Sequence, residues 1–193
     1  TPCSPNLSYD VTMKLSDKEV VSSIKANIPA AFVAYSDSKA TAFSAGDKNA
    51  SVSQKENVIT INYQTTGKVE SVPGYYLLRL PDSPAGVAHQ PYASFNSTRD
   101  CNLFLPYAPN ETYTYTIEVP ANMELSTPTA EKNISNAAGN CILSIKQTGN
   151  KVEVSRSLKI NSNLIKRADY PAFHALMAAW ATINDTPILF KQK

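Results

Sequence analysis

Residues 112–120, TYTYTIEVP, alternate without a break: Tyr113, Tyr115, Ile117 and Val119 share one parity, and Thr112, Thr114, Thr116 and Glu118 share the other. A repeat of two is the side-chain period of a β-strand, and β-branched and aromatic residues at that spacing suit a pleated surface covered on one side. A chain built from such segments forms sheets, and each sheet has to hide its apolar face against another layer. The same alternation opens the sequence. In YDVTMKL, Tyr9, Val11, Met13 and Leu15 take one face and Asp10, Thr12 and Lys14 the other. SDKE then reads as a turn. Val20, Ile24, Ala26 and Ile28 resume the apolar face until Pro29, which cannot donate to a ladder, ends the run. The spacing predicts a hairpin.

Further along, ASVSQKENVITINYQ predicts two strands around Lys55-Glu56-Asn57, with Ile59, Ile61 and Tyr63 inward. YYLLRL, residues 75–80, is apolar on both parities, the pattern of a central strand covered on both faces. The Gly139-Asn140 pair before Cys141 reads as a tight turn. CILSIKQ and KVEVSRSLKI flank Thr148-Gly149-Asn150 as a hairpin. Residues 30–49, rich in Ala, Ser and Asp, carry neither period and read as an irregular excursion. One helix is expected, starting near Asp169 with Pro171 in its first turn and Phe173, Leu176, Met177, Trp180 and Ile183 as its apolar stripe. Pro187 stops it, and ILFK closes as a short strand. The fold class that follows is mainly β: an antiparallel β-sandwich with one C-terminal helix packed on a sheet. Prolines and small residues between Pro81 and Thr98 place a connector at 83–91, separating a β-rich subdomain, 1–82, from a sandwich with its helix, 92–193. One sandwich or two is left open by the sequence.

At 193 residues the chain can bury a core without staples or metals. The 18 Lys and Arg balance 16 Asp and Glu with no like-charge block longer than Lys166-Arg167, which argues against nucleic acid as a partner. Mean hydropathy is −0.25, and no apolar run suggests membrane insertion. No zinc spacing, acidic calcium loop or glycine-rich phosphate loop appears, so no cofactor or metal is expected.

Cys141 shares parity with Leu143 and Ile145, the position of a small apolar core residue. A disulfide to Cys101 is a lesser alternative, because the geometry it needs cannot be read from spacing. His89 falls in the connector. His174 lies beside the helix stripe, in a packing position. A constellation of Cys101 or Cys141 with His174 and Asp185 can be written down, yet no local motif ties it together and Cys141 does not open a helix. Arg156 breaks the apolar parity of Val152, Val154 and Leu158. The simpler reading is a snorkelling arginine at the sandwich rim, and the sharper one is a paired charge at a domain contact. Tyr92, Phe95 and Tyr107, in or near the connector, are candidate ligand-contacting aromatics.

Over residues 75–193, GYYLLRLP, RDCNLFLPYAPNETYTYTIEVPANMEL, NISNAAGN, VEVSRSLKINSNLI, DYPAFHALMAAW and the final ILFK resemble a C-terminal domain of unknown function. That domain follows a transglutaminase-like domain in secreted proteins of Gram-negative bacteria. The resemblance implies a preceding papain-like domain that carries the Cys, His and Asp triad, so no catalytic residue carries over to this region. It further implies a non-catalytic accessory role that stabilises or orients the catalytic domain of the same polypeptide or contacts its protein or glycan substrate, and a periplasmic, secreted or cell-surface location. A free-standing glycan- or protein-binding module is the alternative, and a cysteine hydrolase built on Cys141 and His174 is a third reading.

Overall fold

The alternating segments pair as their parities require. The structure, a computed structural model, describes residues 6–30, 50–81, 86–87, 96–185 and 187–193, with the backbone alone for 183–185. Outside the described residues lie nearly all of the excursion at 30–49, most of the connector, His89, Tyr92, Phe95 and the side chains of Ile183 and Asp185.

In chain order the strands are β1 (Leu7–Leu15), β2 (Glu19–Pro29), β3 (Ser51–Lys55), β4 (Val58–Lys68), β5 (Glu70–Val72), β6 (Tyr75–Leu78) and β7 (Leu103–Phe104). They continue with β8 (Asn110–Glu118), β9 (Met123–Leu125), β10 (Ala130–Asn136), β11 (Gly139–Thr148), β12 (Lys151–Ile160), β13 (Leu164–Ile165) and, after helix α1 (Tyr170–Asp185), β14 (Ile188–Gln192). Eight strands form one sheet in the order β10-β11-β12-β8-β1-β2-β4-β3, four form another in the order β5-β6-β14-β9, and β13 pairs with β7. Every pairing is antiparallel except β1 with β8, which run parallel with Tyr9 beside Tyr113 and Met13 beside Ile117. Parallel neighbours need a long crossover, and here everything from β2 to β7 lies between them in sequence. Both larger sheets therefore draw strands from either side of the connector.

The expected hairpins are present. Ser16 Oγ closes the β1–β2 turn, accepting from the Glu19 N–H at 3.0 Å and donating to its carbonyl at 2.8 Å. β3 and β4 meet across Glu56-Asn57, where Lys55 faces Val58. β11 and β12 close around Gly149-Asn150, where Thr148 faces Lys151. The odd residues of β1 and β8 and the even residues of β12 are buried together. Leu78, Met123, Ile188 and Phe190 of the smaller sheet join the same core. Tyr170, Phe173, Leu176, Met177 and Trp180 of α1 are buried too, and the helix lies against β10 and β11. The architecture is mainly β, antiparallel-dominated sheets packed on each other with one C-terminal helix. No helix among the described residues is long and apolar enough to cross a membrane.

Two local expectations are corrected. YYLLRL is an inner strand of the smaller sheet but is not covered on both faces: Tyr75 is 43% exposed and the strand ends at Leu78. Its apolar residues mark a strand in a small sheet whose outer face stays open. The turn before Cys141 falls at Ala137-Ala138, and Gly139-Asn140 already belongs to β11. Glycine at 139 answers to crowding, not to turn chemistry, because a Cβ there would overlap the Lys159 carbonyl oxygen of the neighbouring strand. Gly139→Ala is therefore expected to lower stability by about 2 kcal/mol or more. Urea denaturation against wild type measures it, and a loss under about 0.5 kcal/mol, the range of an ordinary surface substitution, would show that the strands part without cost.

Candidate functional site

The inward parity of β8 carries polar atoms into the core. Glu111, Tyr113 and Tyr115 follow one another on that face, and β12 sets Arg156 directly across from Tyr113. Arg156 is 2% exposed. Its Nη2 donates to Tyr115 Oη at 2.5 Å, and its guanidinium stands 4.9 Å from the Tyr115 ring centre and 5.7 Å from that of Tyr113. Tyr115 Oη in turn donates to the Pro81 carbonyl at 3.0 Å, tying β8 to the chain just beyond β6. The reading of Arg156 as a rim residue is corrected: its side chain is buried, with the guanidinium set against two aromatic faces and the Tyr115 phenol.

Glu111 is the second buried charge-bearing group. It is fully buried, accepts from the Tyr113 hydroxyl at 2.7 Å and from the Val87 N–H at 2.8 Å, and so pins the Gly86-Val87 turn to the sheet. Gly86 has φ +112°, and a Cβ there would come within 2.7 Å of Glu111 Oε2 and 2.8 Å of Tyr113 Oη. Only glycine lets the backbone lie this close to the carboxyl. Burial pushes the Glu111 carboxyl up to about 7, against the smaller lowering effects of the Tyr113 and Val87 hydrogen bonds. Aromatic rings continue the cluster, with Tyr9 5.8 Å from Tyr113 and Trp180 5.4 Å from it, and Tyr9 Oη 3.2 Å from Tyr63 Oη.

Beside Arg156 opens a mostly apolar cavity of about 340 Å³. Its walls come from β10 (Ala130, Lys132), β11 (Leu143, Ile145), β12 (Val154, Arg156), the Thr127-Pro128 segment, Leu80, Thr182 and Ile188. The volume suits a small ligand or one large side chain. Among the described residues no group of three or more His, Cys, Asp or Glu side chains is placed to hold a metal ion.

Cys141 is 1% exposed on β11, and burial pushes its thiol up to about 11, with Arg156 opposing. That is a core thiol, not an activated nucleophile. Cys101 is exposed, and the two are not bonded to each other. His174 stands on α1 with its ring 6.3 Å from that of Tyr170. Tyr107 is half-buried against the core. Sequence reasoning missed Glu111, although its parity with Tyr113 and Tyr115 was available. It also missed the cavity, whose walls come from six separate stretches of chain.

Fold and buried cluster together define a β-sandwich module with an aromatic core. The chain belongs to the family described as a domain of unknown function with a solved structure (DUF3858), which it matches over residues 75–190. It is also similar to the crystal structure of "a putative protease from Parabacteroides distasonis", at 30% identity and a TM-score of 0.56. That similarity covers 61% of this chain but 23% of the other, so the chain corresponds to under a quarter of that protein. Comparison with curated proteins yields no match.

The buried groups make two measurable demands. For Glu111 the folded value near 7 lies above the ordinary 4.5, so between those pH values the folded protein keeps a proton that the unfolded chain has released. This contribution is greatest below about pH 4.5, falls by about 3 kcal/mol up to pH 7 and is flat beyond. Glu111→Gln should remove that slope, as urea midpoints from pH 5 to 8 would reveal; an identical slope in the variant would refute the assignment. For the thiols, iodoacetamide at pH 8 should label Cys101 readily in the native protein and Cys141 only after unfolding, since about a thousandth of a thiol of pKa 11 is ionised there. Equal rates at the two sites would contradict a buried Cys141.

Proposed function

We propose that this chain is a non-catalytic accessory domain of a larger, secreted or periplasmic protease-like protein, where it orients or stabilises the catalytic portion or contacts its substrate. The observation that carries this reading is the similarity to under a quarter of a longer chain described as a putative protease, within a family defined at the level of a domain. The interior supports it. The groups that most resemble reactive chemistry, Cys141, Glu111 and Arg156, are buried and engaged in packing or in hydrogen bonds to their own sheet. Such groups hold a shape and leave the exposed edges and cavity for recognition. A transglutaminase-like, papain-type fold for the catalytic portion rests on the sequence resemblance over residues 75–193 and is part of the proposal.

The test is the mass of the native protein in its source cells, detected with an antibody raised against this chain. A species far above 21.0 kDa is expected. A species at that mass, with no larger precursor, would remove the accessory reading and favour a free-standing binding module.

A further inference from the structure

We infer that the outer edge of β10, together with the apolar cavity behind it, is a binding site for an extended peptide that adds as a further strand and drops one apolar side chain into the cavity.

Two independent features converge on this edge. β10 is the terminal strand of the eight-stranded sheet, and no described strand pairs with its outer side. Glu131 to Ser135 are all exposed, and outside the β11 ladder no described backbone group hydrogen-bonds to β10. Strand addition uses such an edge: main-chain hydrogen bonds supply affinity, and pockets for alternate side chains supply specificity.

The cavity supplies the pocket. Ala130, Lys132 and Ile134 pair with Ile145, Leu143 and Cys141, so they stand on the core side of β10. Ala130 and Lys132 are cavity walls. Lys132 and Pro128 are exposed, whereas Val154 and Arg156 on the opposite wall are buried, so the cavity opens beside the edge and deepens towards β12. An added strand has the same repeat of two, and its core-side residues would pass over that opening. With a volume of about 340 Å³ and largely apolar walls, it has room for a leucine-, methionine- or phenylalanine-sized side chain.

The occupant is a foreign strand and not a second copy. A core-side lysine on an edge strand discourages edge-to-edge pairing of identical chains, and the neighbouring Glu131 adds charge to the same edge. That the peptide is what the catalytic portion acts on rests on the accessory reading; peptide capture itself does not.

The experiment follows amide hydrogen exchange in residues 1–193 with the capped peptide acetyl-Lys-Thr-Thr-Leu-Thr-Thr-Lys-amide as probe. Exchange in β10 should slow on addition, and replacing the probe's Leu by Ser should weaken binding about tenfold or more. Of two probes N-methylated on alternate amides, one for each edge, one should lose binding and the other keep it. Ala130→Trp, which fills the mouth, should abolish binding without changing the thermal midpoint; the methylated probes decide the matter should that variant not fold. Unchanged β10 exchange at millimolar probe, equal binding of the Ser probe, or equal binding of both methylated probes overturns the inference. So does a concentration-dependent dimer that protects β10 without peptide. Because native mass tests the accessory reading separately, failure of one leaves the other standing.

Discussion

The parallel contact between β1 and β8 is the constraint on which the rest of the structure depends. It joins strands about a hundred residues apart in sequence, and it sets Tyr9 beside Tyr113 at the centre of the larger sheet. Once that pair is formed, β2 and β4 extend the sheet in one direction and β12, β11 and β10 in the other. Long-range parallel pairing carries a heavy chain-closure cost and needs side-chain contacts to offset it. The tyrosine cluster provides them: Tyr9, Tyr113 and Tyr115 meet ring to ring, and Trp180 brings α1 onto the same centre. The helix and the two halves of the chain thus share one set of aromatic contacts.

Burying Arg156 and Glu111 in that centre does not by itself add stability. Apolar replacements for buried charged groups are often neutral or better, whereas removing one partner leaves the other stranded. What the pattern adds is register. Sliding β8 by one residue against β12 would carry Tyr113 and Tyr115 out of the core and leave Arg156 facing threonines. It would also take the Glu111 carboxyl away from the Val87 amide, so the same slip that breaks the sheet releases the Gly86-Val87 turn. Buried polar groups in this position act against alternative pairings of a chain whose strands otherwise look alike.

This accounts for what was legible in the sequence and what was not. A period of two is local information, so the inward faces of β1, β2, β8 and β12 and the stripe of α1 could be read directly. Which strands lie beside each other is not local. The parity of Arg156 already pointed inward, but without the β12–β8 neighbourhood there was no visible reason for an arginine to be tolerated there, and the rim looked cheaper. Glu111 was hidden in the same way, since its partners are a tyrosine two residues on and a backbone amide in the distant connector. Gly139 misled in the opposite sense: a glycine suggests a turn, yet its cause is the closeness of the Lys159 carbonyl on a strand that follows later. The cavity had no signature at all, because concavity arises only when β10, β11, β12, the end of α1 and the start of β14 are brought together.

The distribution of polarity indicates which parts are free to recognise something else. On the outward parity of the larger sheet, side chains satisfy one another in rows: Asn27 donates to Ser8 at 2.8 Å and accepts from Thr60 at 2.9 Å, and Gln64 donates to Ser23 at 3.1 Å. A face so paired offers little that a partner must satisfy, and it lacks the aromatic anchors that dominate binding surfaces. The centre of the inward face is covered by the smaller sheet and α1. What remains are the strand edges, whose backbone groups are directional and cannot pair within their own strand. The two edges of the large sheet differ: β3 stands at one end with all five side chains exposed, whereas β10 has an apolar hollow behind its core-side residues. Backbone hydrogen bonds alone would take any extended chain, and a hollow alone would take any apolar group. Their coincidence at β10 is what would let this sandwich discriminate among peptides without performing any chemistry on them.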